Sequence, residues 1–227
     1  MLGQPVGFDL NDIFSGRKIL LVDLSKGQLG PESSALLGSL LISQLWQAVL
    51  GRSRVAAERR HPVMVYVDEF QDYLHLPLDF SDALAQARGL GVGFTLAHQY
   101  LNQLDRPMRS AVLANAQSRV AFRLGSEDAR ILASSSMLEP ADFSDLPAYH
   151  CYVQLVANSA PQPWASARTS LPPEPSADPA TIRAASLARY GTPRSEVEAQ
   201  LTKLLIGERR TSHDDLVPRR RRSGGSS

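Results

Sequence analysis

Two adjacent carboxylates, Asp68 and Glu69, directly follow a short apolar run, and this pair is the feature of the sequence best suited to chemistry. The run, Val63–Val67, reads VMVYV without alternation, which is typical of a strand buried on both faces of a parallel sheet. Ligands of open α/β sheets bind just beyond the carboxyl ends of the strands. The pattern therefore predicts a ligand site at the acidic pair. A core strand whose aspartate only caps the next turn would contain the same residues.

The sequence offers two further side chains for such a site. An apolar strand ending in Asp-Glu is the Walker B pattern of P-loop ATPases. Gln99 ends the next predicted strand and would face the same crevice, where an amide can hydrogen-bond a phosphate oxygen and a water molecule. Arg88 ends the intervening helix and could reach a nucleotide held by a neighbouring subunit. The alternatives are a capping or surface glutamine and an arginine that complements a helix dipole.

Strand and helix patterns alternate along the chain at spacings typical of βαβ units, which predicts an α/β fold with a mainly parallel sheet. Ser126 is expected to cap one of the helices. The predicted strands cover residues 18–24, 63–67, 91–99, 119–124 and 150–157. The predicted helices cover residues 32–54 and 80–88, with one or two more in 101–117 and another that begins at the capping serine.

The composition is that of a soluble globular protein with one sizeable core, since 43% of the 227 residues are apolar and 21% are charged. A net charge of +1 neither favours nor excludes nucleic acid as a partner. The single cysteine, Cys151, excludes an internal disulfide framework and is predicted to be a small core residue. The histidines lack metal-ligand spacing, so a zinc site is not expected. The apolar stretch at residues 35–50 contains serines and glutamines and is interpreted as a buried helix.

Composition also predicts how the chain is divided. Residues 1–160 form the main domain, and residues 161–179, rich in proline and serine, form a linker. Residues 180–207 form a helical tail, and residues 208–227 form a basic, disordered end that could contact DNA phosphates.

Taken in order, several longer motifs resemble one family. The sequence resembles the ATPase domain of type IV secretion coupling proteins, the conjugative DNA-transfer ATPases of the HerA–FtsK superfamily of ring-shaped DNA motors. The likeness covers about residues 4–160 and implies part of a RecA-like P-loop NTPase core. The motifs are ILLVDLSKGQLG, LLGSLL, VYVDEFQDY, ALAQARGLGVGFTLAHQYLNQL and ANAQSRVAFRLGSEDA.

The resemblance implies specific roles. Asp68 would hold Mg²⁺ through water, Glu69 would polarise the attacking water, Gln99 would sense the nucleotide, and Arg88 would act in trans as an arginine finger. It also implies ATP and Mg²⁺ as cofactors, single-stranded DNA as substrate, and a homo-hexamer. Relaxase or secretion-channel proteins would be partners. The location would be cytoplasmic, with full-length relatives anchored to the inner face of the cell membrane.

One departure from the family pattern concerns the phosphate-binding loop, G-x-x-x-x-G-K-[ST], which does not occur in the sequence. The segment SKGQLGPESS is superficially similar, but its Lys26 precedes the glycines. The chain is therefore expected to be the C-terminal part of an ATPase core, and whether it is itself an enzyme stays open. The alternatives are a non-catalytic remnant or adaptor that binds DNA or a secretion partner, and a HerA/FtsK-type DNA pump used in repair or segregation.

Overall fold

The structure is a computed structural model in which residues 8–73 and 80–203 are described. The basic end predicted at residues 208–227 lies outside the described residues. The chain divides into two compact units: Leu10–Pro172, and Pro173–Ser227 together with Met1–Asp9.

The elements follow the predicted alternation of helices and strands. The helices are α1 Asn11–Gly16, α2 Lys26–Leu29, α3 Pro31–Gly51, α4 Phe80–Ala87, α5 Arg106–Asn115, α6 Ser126–Ala133, α7 Pro140–Ser144 and α8 Pro179–Tyr190. The strands are β1 Val63–Val67, β2 Val92–Leu96, β3 Arg119–Ala121, β4 His150–Gln154, β5 Val156–Ala157, β6 Ala160–Pro161 and β7 Ala165–Arg168. Short 3₁₀ turns lie at Arg52–Arg54, Ala57–Arg59, Phe70–Asp72, Arg88–Leu90 and Leu101–Gln103.

The sheets are small, and the expectation of a mainly parallel sheet holds only for β1 and β2. These two strands pair in parallel, with Val63 opposite Val92 and Val67 opposite Leu96. The three-stranded sheet β3–β4–β7 and the β5–β6 pair are antiparallel. The predicted alternation of helices and strands agrees with the structure. Strand direction, however, is set by tertiary pairing, which local periodicity does not encode.

The strand predicted at residues 18–24 is wrong, because this segment joins no ladder in the described chain. Together with residues of β1 and α3, it lines a groove of about 1210 Å³. The burial expected for β1 is also wrong on one face: Met64 is 56% exposed and Tyr66 is 73% exposed. On the other face, Val65 and Val67 pack against the main apolar core.

Helix α3 supplies much of the main core. Trp46 and Val49 are buried against Phe70, which follows β1. Close approach requires a glycine at Gly38, because a Cβ there would collide with the ring of Tyr73. By length and composition alone, Pro31–Arg54 could cross a membrane, with a mean hydropathy of 1.3. Only 28% of that apolar window is buried, so the predicted burial of the helix holds for its core-facing residues, such as Trp46 and Val49, and not for the whole stretch.

A second, smaller core lies under β3, β4 and β7. Phe143 is fully buried, and its ring makes edge contacts with Tyr152 and Trp164 at centroid distances of 5.4 and 5.3 Å. Cys151 is buried on β4, as predicted. The predicted cap at Ser126 is wrong: Gly125 is the N-cap residue and no side chain caps the helix.

The segment expected to be a linker, residues 161–179, begins with ordered pairing. Strand β7 pairs with β4, and the compact unit extends to Pro172. Farther along, Asp178 caps α8 by accepting a hydrogen bond from the Ala180 N–H at 3.0 Å. Residues 194–203 are helical as well.

Candidate functional site

The parallel pairing of β1 with β2 brings the predicted site residues to one edge. Beyond the strands, the Ala97 N–H donates to the Val67 carbonyl at 2.9 Å, and the Phe70 N–H donates to the Ala97 carbonyl at 3.2 Å. These bonds keep the two chain segments adjacent past their carboxyl ends. Asp68 and Gln99 therefore lie at the same edge of the sheet, as the sequence predicted.

Glu69 is held through both of its carboxylate oxygens. Gln99 donates from Nε2 to Oε1 at 2.8 Å, and Lys26 donates from Nζ to Oε2 at 3.2 Å. The same ammonium group lies 2.7 Å from Oδ2 of Asp72. One amide and one cation thus contact the glutamate and restrict the position of its carboxylate.

The backbone at Glu69 adopts a left-handed conformation, with φ 46° and ψ 46°. For a non-glycine residue this conformation costs roughly 1–2 kcal/mol, so neighbouring contacts must stabilise it. Asp68 accepts a hydrogen bond from the Glu69 N–H at 3.0 Å, and the next residue, Phe70, is fully buried. The sharp turn places the acidic pair at the surface directly beside a rigid core residue.

Two titratable groups near this edge have shifted pKa values. The hydrogen bonds to Asp72 and then Glu69 raise the pKa of Lys26, which favours its charged form. Burial lowers the pKa of His98 below its usual 6.5, with Asp128 acting in the opposite direction. The His98 ring packs edge-on against Phe70 at a centroid distance of 5.5 Å.

Arg88 lies at the opposite edge of the same strands. It begins the 3₁₀ turn that precedes β2, whereas Glu69 follows the carboxyl end of β1. Five residues of strand separate the two edges, roughly 16 Å at 3.3 Å per residue. Within one chain the structure does not bring Arg88 to the acidic pair, and its role in trans stays a prediction.

Lys26 and Asp72 are the members of this cluster that sequence reasoning missed. In the sequence, Lys26 stands only in an imperfect match to the phosphate-binding loop. Its partner Glu69 lies 43 residues away. Spacing along the chain carries no signal for such a contact. The available hint was a lysine placed just after an apolar segment, at the start of a short helix.

The residues at this edge fit one side of a magnesium–nucleotide site. Mg²⁺ is commonly bound by one or two carboxylates together with water and substrate phosphates, and Asp68 and Glu69 could supply the carboxylates. Within residues 8–73 and 80–203, no group of three His, Cys, Asp or Glu side chains could hold a metal ion by itself. A glycine-rich phosphate cradle is also missing from the sequence. These residues therefore fit only the side of such a site that would face the metal ion.

Comparison with known proteins places this geometry in context. Residues 62–138 match the family model described as "TraM recognition site of TraD and TraG". The fold is similar to bacterial structures of the plasmid coupling protein TrwB in complex with ADP and Mg²⁺ and with the ATP analogue ADPNP, each with a TM-score of 0.52. Sequence identities are 20% and 19%, and each match covers 66% of this chain. No curated protein sequence matched.

The chain spans 40% and 41% of the length of those two TrwB chains. The matched family region contains β1, β2 and the acidic pair between them. The resemblance to type IV coupling proteins drawn from the sequence motifs is thereby confirmed. This chain therefore resembles the type IV coupling proteins, since residues 62–138 match the TraD and TraG family model and its fold is similar to part of TrwB.

Proposed function

We propose that this chain supplies the Walker B edge of an ATP-driven DNA translocase for conjugative transfer, as part of a RecA-like core. The observation that carries the proposal is the convergence of Asp68, Glu69 and Gln99 at the carboxyl edge of a parallel strand pair. Two carboxylates beside an amide donor are suited to holding Mg²⁺ and orienting a water molecule. The relatedness to coupling proteins connects this chemistry with DNA transfer.

Each residue has a distinct task in the proposal. Asp68 would help to hold Mg²⁺, and Glu69 would orient and polarise the water molecule that attacks the phosphoryl group. Gln99 already donates to Glu69, so it can exchange that bond for one to a phosphate oxygen and report nucleotide binding. A bound Mg²⁺–ATP would supply the phosphoryl group for transfer.

Assembly completes the proposal. Because Arg88 lies at the edge opposite Glu69, it can serve a nucleotide site only on another subunit, as a head-to-tail ring allows. We propose a homo-hexamer around DNA. The family description, which names recognition of TraM, favours a TraM-like protein as a partner, alongside relaxase or secretion-channel proteins.

A non-catalytic adaptor is the second candidate function, and one observation favours it. The sequence has no phosphate-binding loop, while Lys26 already compensates the charge of Glu69 and Asp72. An adaptor would keep the fold and the partner surfaces without hydrolysing ATP.

Nucleotide binding and DNA-stimulated ATP hydrolysis by the purified chain test the proposal. Glu69→Gln should lower turnover by at least about 100-fold, the usual contribution of general acid–base catalysis, and leave nucleotide affinity nearly unchanged. Glu58→Gln is the matched control, because Glu58 is an exposed glutamate in the 3₁₀ turn before β1. Unchanged turnover in Glu69→Gln would remove the assignment of Glu69. Absence of nucleotide binding by the wild-type chain would favour the adaptor.

A further inference from the structure

We propose that Lys26 is a positioning residue for Glu69, a role that rests on the proposed function and deepens it. The two side chains come from segments 43 residues apart and meet at 3.2 Å. The sequence motifs assigned no role of this kind to the lysine. Its effect would be exerted through the glutamate and not through contact with substrate.

Two hydrogen bonds, from Gln99 and Lys26, limit the rotation of the Glu69 carboxylate. The last torsion of a glutamate side chain is broad, so a single hydrogen bond leaves the carboxylate plane free to rotate. Gln99 occupies Oε1 only. The bond from Lys26 to Oε2 supplies the second point of attachment, and two points define the plane in which the carboxylate faces a water molecule.

Lys26 is itself held in place by a second carboxylate, that of Asp72. Its ammonium group also pairs with Asp72 at 2.7 Å, at the end of the 3₁₀ turn that Glu69 precedes. One cation thus bridges both ends of a turn whose first residue, Phe70, is fully buried. This bridge opposes the relaxation of Glu69 out of its left-handed backbone conformation.

A role of Lys26 in positioning Glu69 can be distinguished from a role in stabilising the fold. The Lys26 side chain is 45% exposed, and exposed ion pairs contribute little to the stability of the fold. A purely structural ion pair would therefore change little when it is removed. A positioning residue would lower catalytic turnover while the fold and the nucleotide affinity remained nearly unchanged.

The primary experiment compares steady-state ATP hydrolysis by the full chain with DNA. We expect Lys26→Gln to lower kcat about tenfold, with KM changed less than about threefold, because a 1 Å misplacement of a catalytic group can cost about 100-fold and Gln99 still holds one oxygen of Glu69. Lys26→Arg should recover part of the loss. Lys18→Gln is the matched control, since Lys18 pairs with Asp12 at 2.6 Å and is 36% exposed. Loss of nucleotide affinity with unchanged kcat would identify a phosphate contact and overturn the proposal.

A second measurement needs no turnover. Zero-length carbodiimide coupling joins an amine to a carboxylate in contact with it, so mass spectrometry of the wild-type chain should find Lys26 linked to Glu69 or Asp72. Amide hydrogen exchange across residues 68–73 should accelerate in Lys26→Gln and not in Lys18→Gln.

These two measurements keep the proposals distinguishable. A wild-type chain that shows the cross-link and the exchange difference but no ATP hydrolysis retains Lys26 as the positioner of Glu69 and contradicts the proposed catalytic function. Absence of the cross-link, or equal exchange in Lys26→Gln and wild type, overturns the role of Lys26 whatever the turnover.

Discussion

The two sheets of the larger unit differ in what they are built to do. The parallel pair β1–β2 ends in a cluster of exposed polar side chains around a strained Glu69. The antiparallel sheet β3–β4–β7 instead packs on a fully buried ring, Phe143, with aromatic neighbours. The difference teaches that the candidate site and the aromatic packing around Phe143 belong to separate sheets. Substitutions should therefore affect one property without the other.

The largest expected effect is in the second core. Phe143→Ala removes a fully buried ring and its contacts with Tyr152 and Trp164. We expect the free energy of unfolding in urea to fall by about 3–5 kcal/mol. Phe122→Ala is the matched control, because the Phe122 side chain is 48% exposed, and its change should be much smaller. If hydrogen exchange at residues 68–73 rises as much as at β4, the two regions unfold as one unit and the comparison fails.

A smaller effect is expected where the two regions are joined. Asp128 on α6 is buried and accepts a hydrogen bond from the Leu101 N–H at 3.0 Å, just after β2. Asp128→Ala would leave this buried donor unsatisfied and lower the free energy of unfolding by about 1–3 kcal/mol.

Glu127→Ala provides the control for that substitution. Glu127 is the preceding residue and accepts from the Asn102 side-chain amide at 2.8 Å in an exposed contact. Its removal should change stability by less than about 1 kcal/mol. Equal effects of the two substitutions would show that the buried backbone contact does not couple the regions.

The smallest expected effect is a dependence of the stability of the β1–β2 region on pH. The pKa of His98 is lowered by burial, so the folded chain binds fewer protons than the unfolded chain just below pH 6.5. The stability contribution is present above that pH and is lost as the pH falls through the lowered pKa. Thermal unfolding between about pH 5 and pH 8 should show this slope, and His98→Phe should flatten it. A slope that is unchanged in the variant would assign the titration to another group.

Much of the fold could be predicted because its signals are local. The periodicity of α3 and the apolar runs of β1 and β2 gave elements close to those observed. The segment at residues 18–24 has the same apolar character but forms no strand, since a strand also needs a partner. The direction of β3 against β4 depends on the path of the chain between them, and this was not readable from spacing.

The candidate site shows the same limit at the level of side chains. Asp68, Glu69 and Gln99 were placed at one edge by a topological rule that needs only strand order and direction. Lys26 reaches the cluster through a long flexible side chain from a separate segment, and no periodic pattern predicts that contact. The opposite-edge position of Arg88 follows from the same rule, once the strands are known to be parallel.

The register of β1 with β2 also governs when the cluster can exist. Val63 pairs with Val92, so residues far apart in sequence must close a loop before the ladder forms, and such parallel pairings are intrinsically slow to form. Glu69 and Gln99 meet only after that closure. We therefore expect the acidic cluster to form late in folding, after the helices.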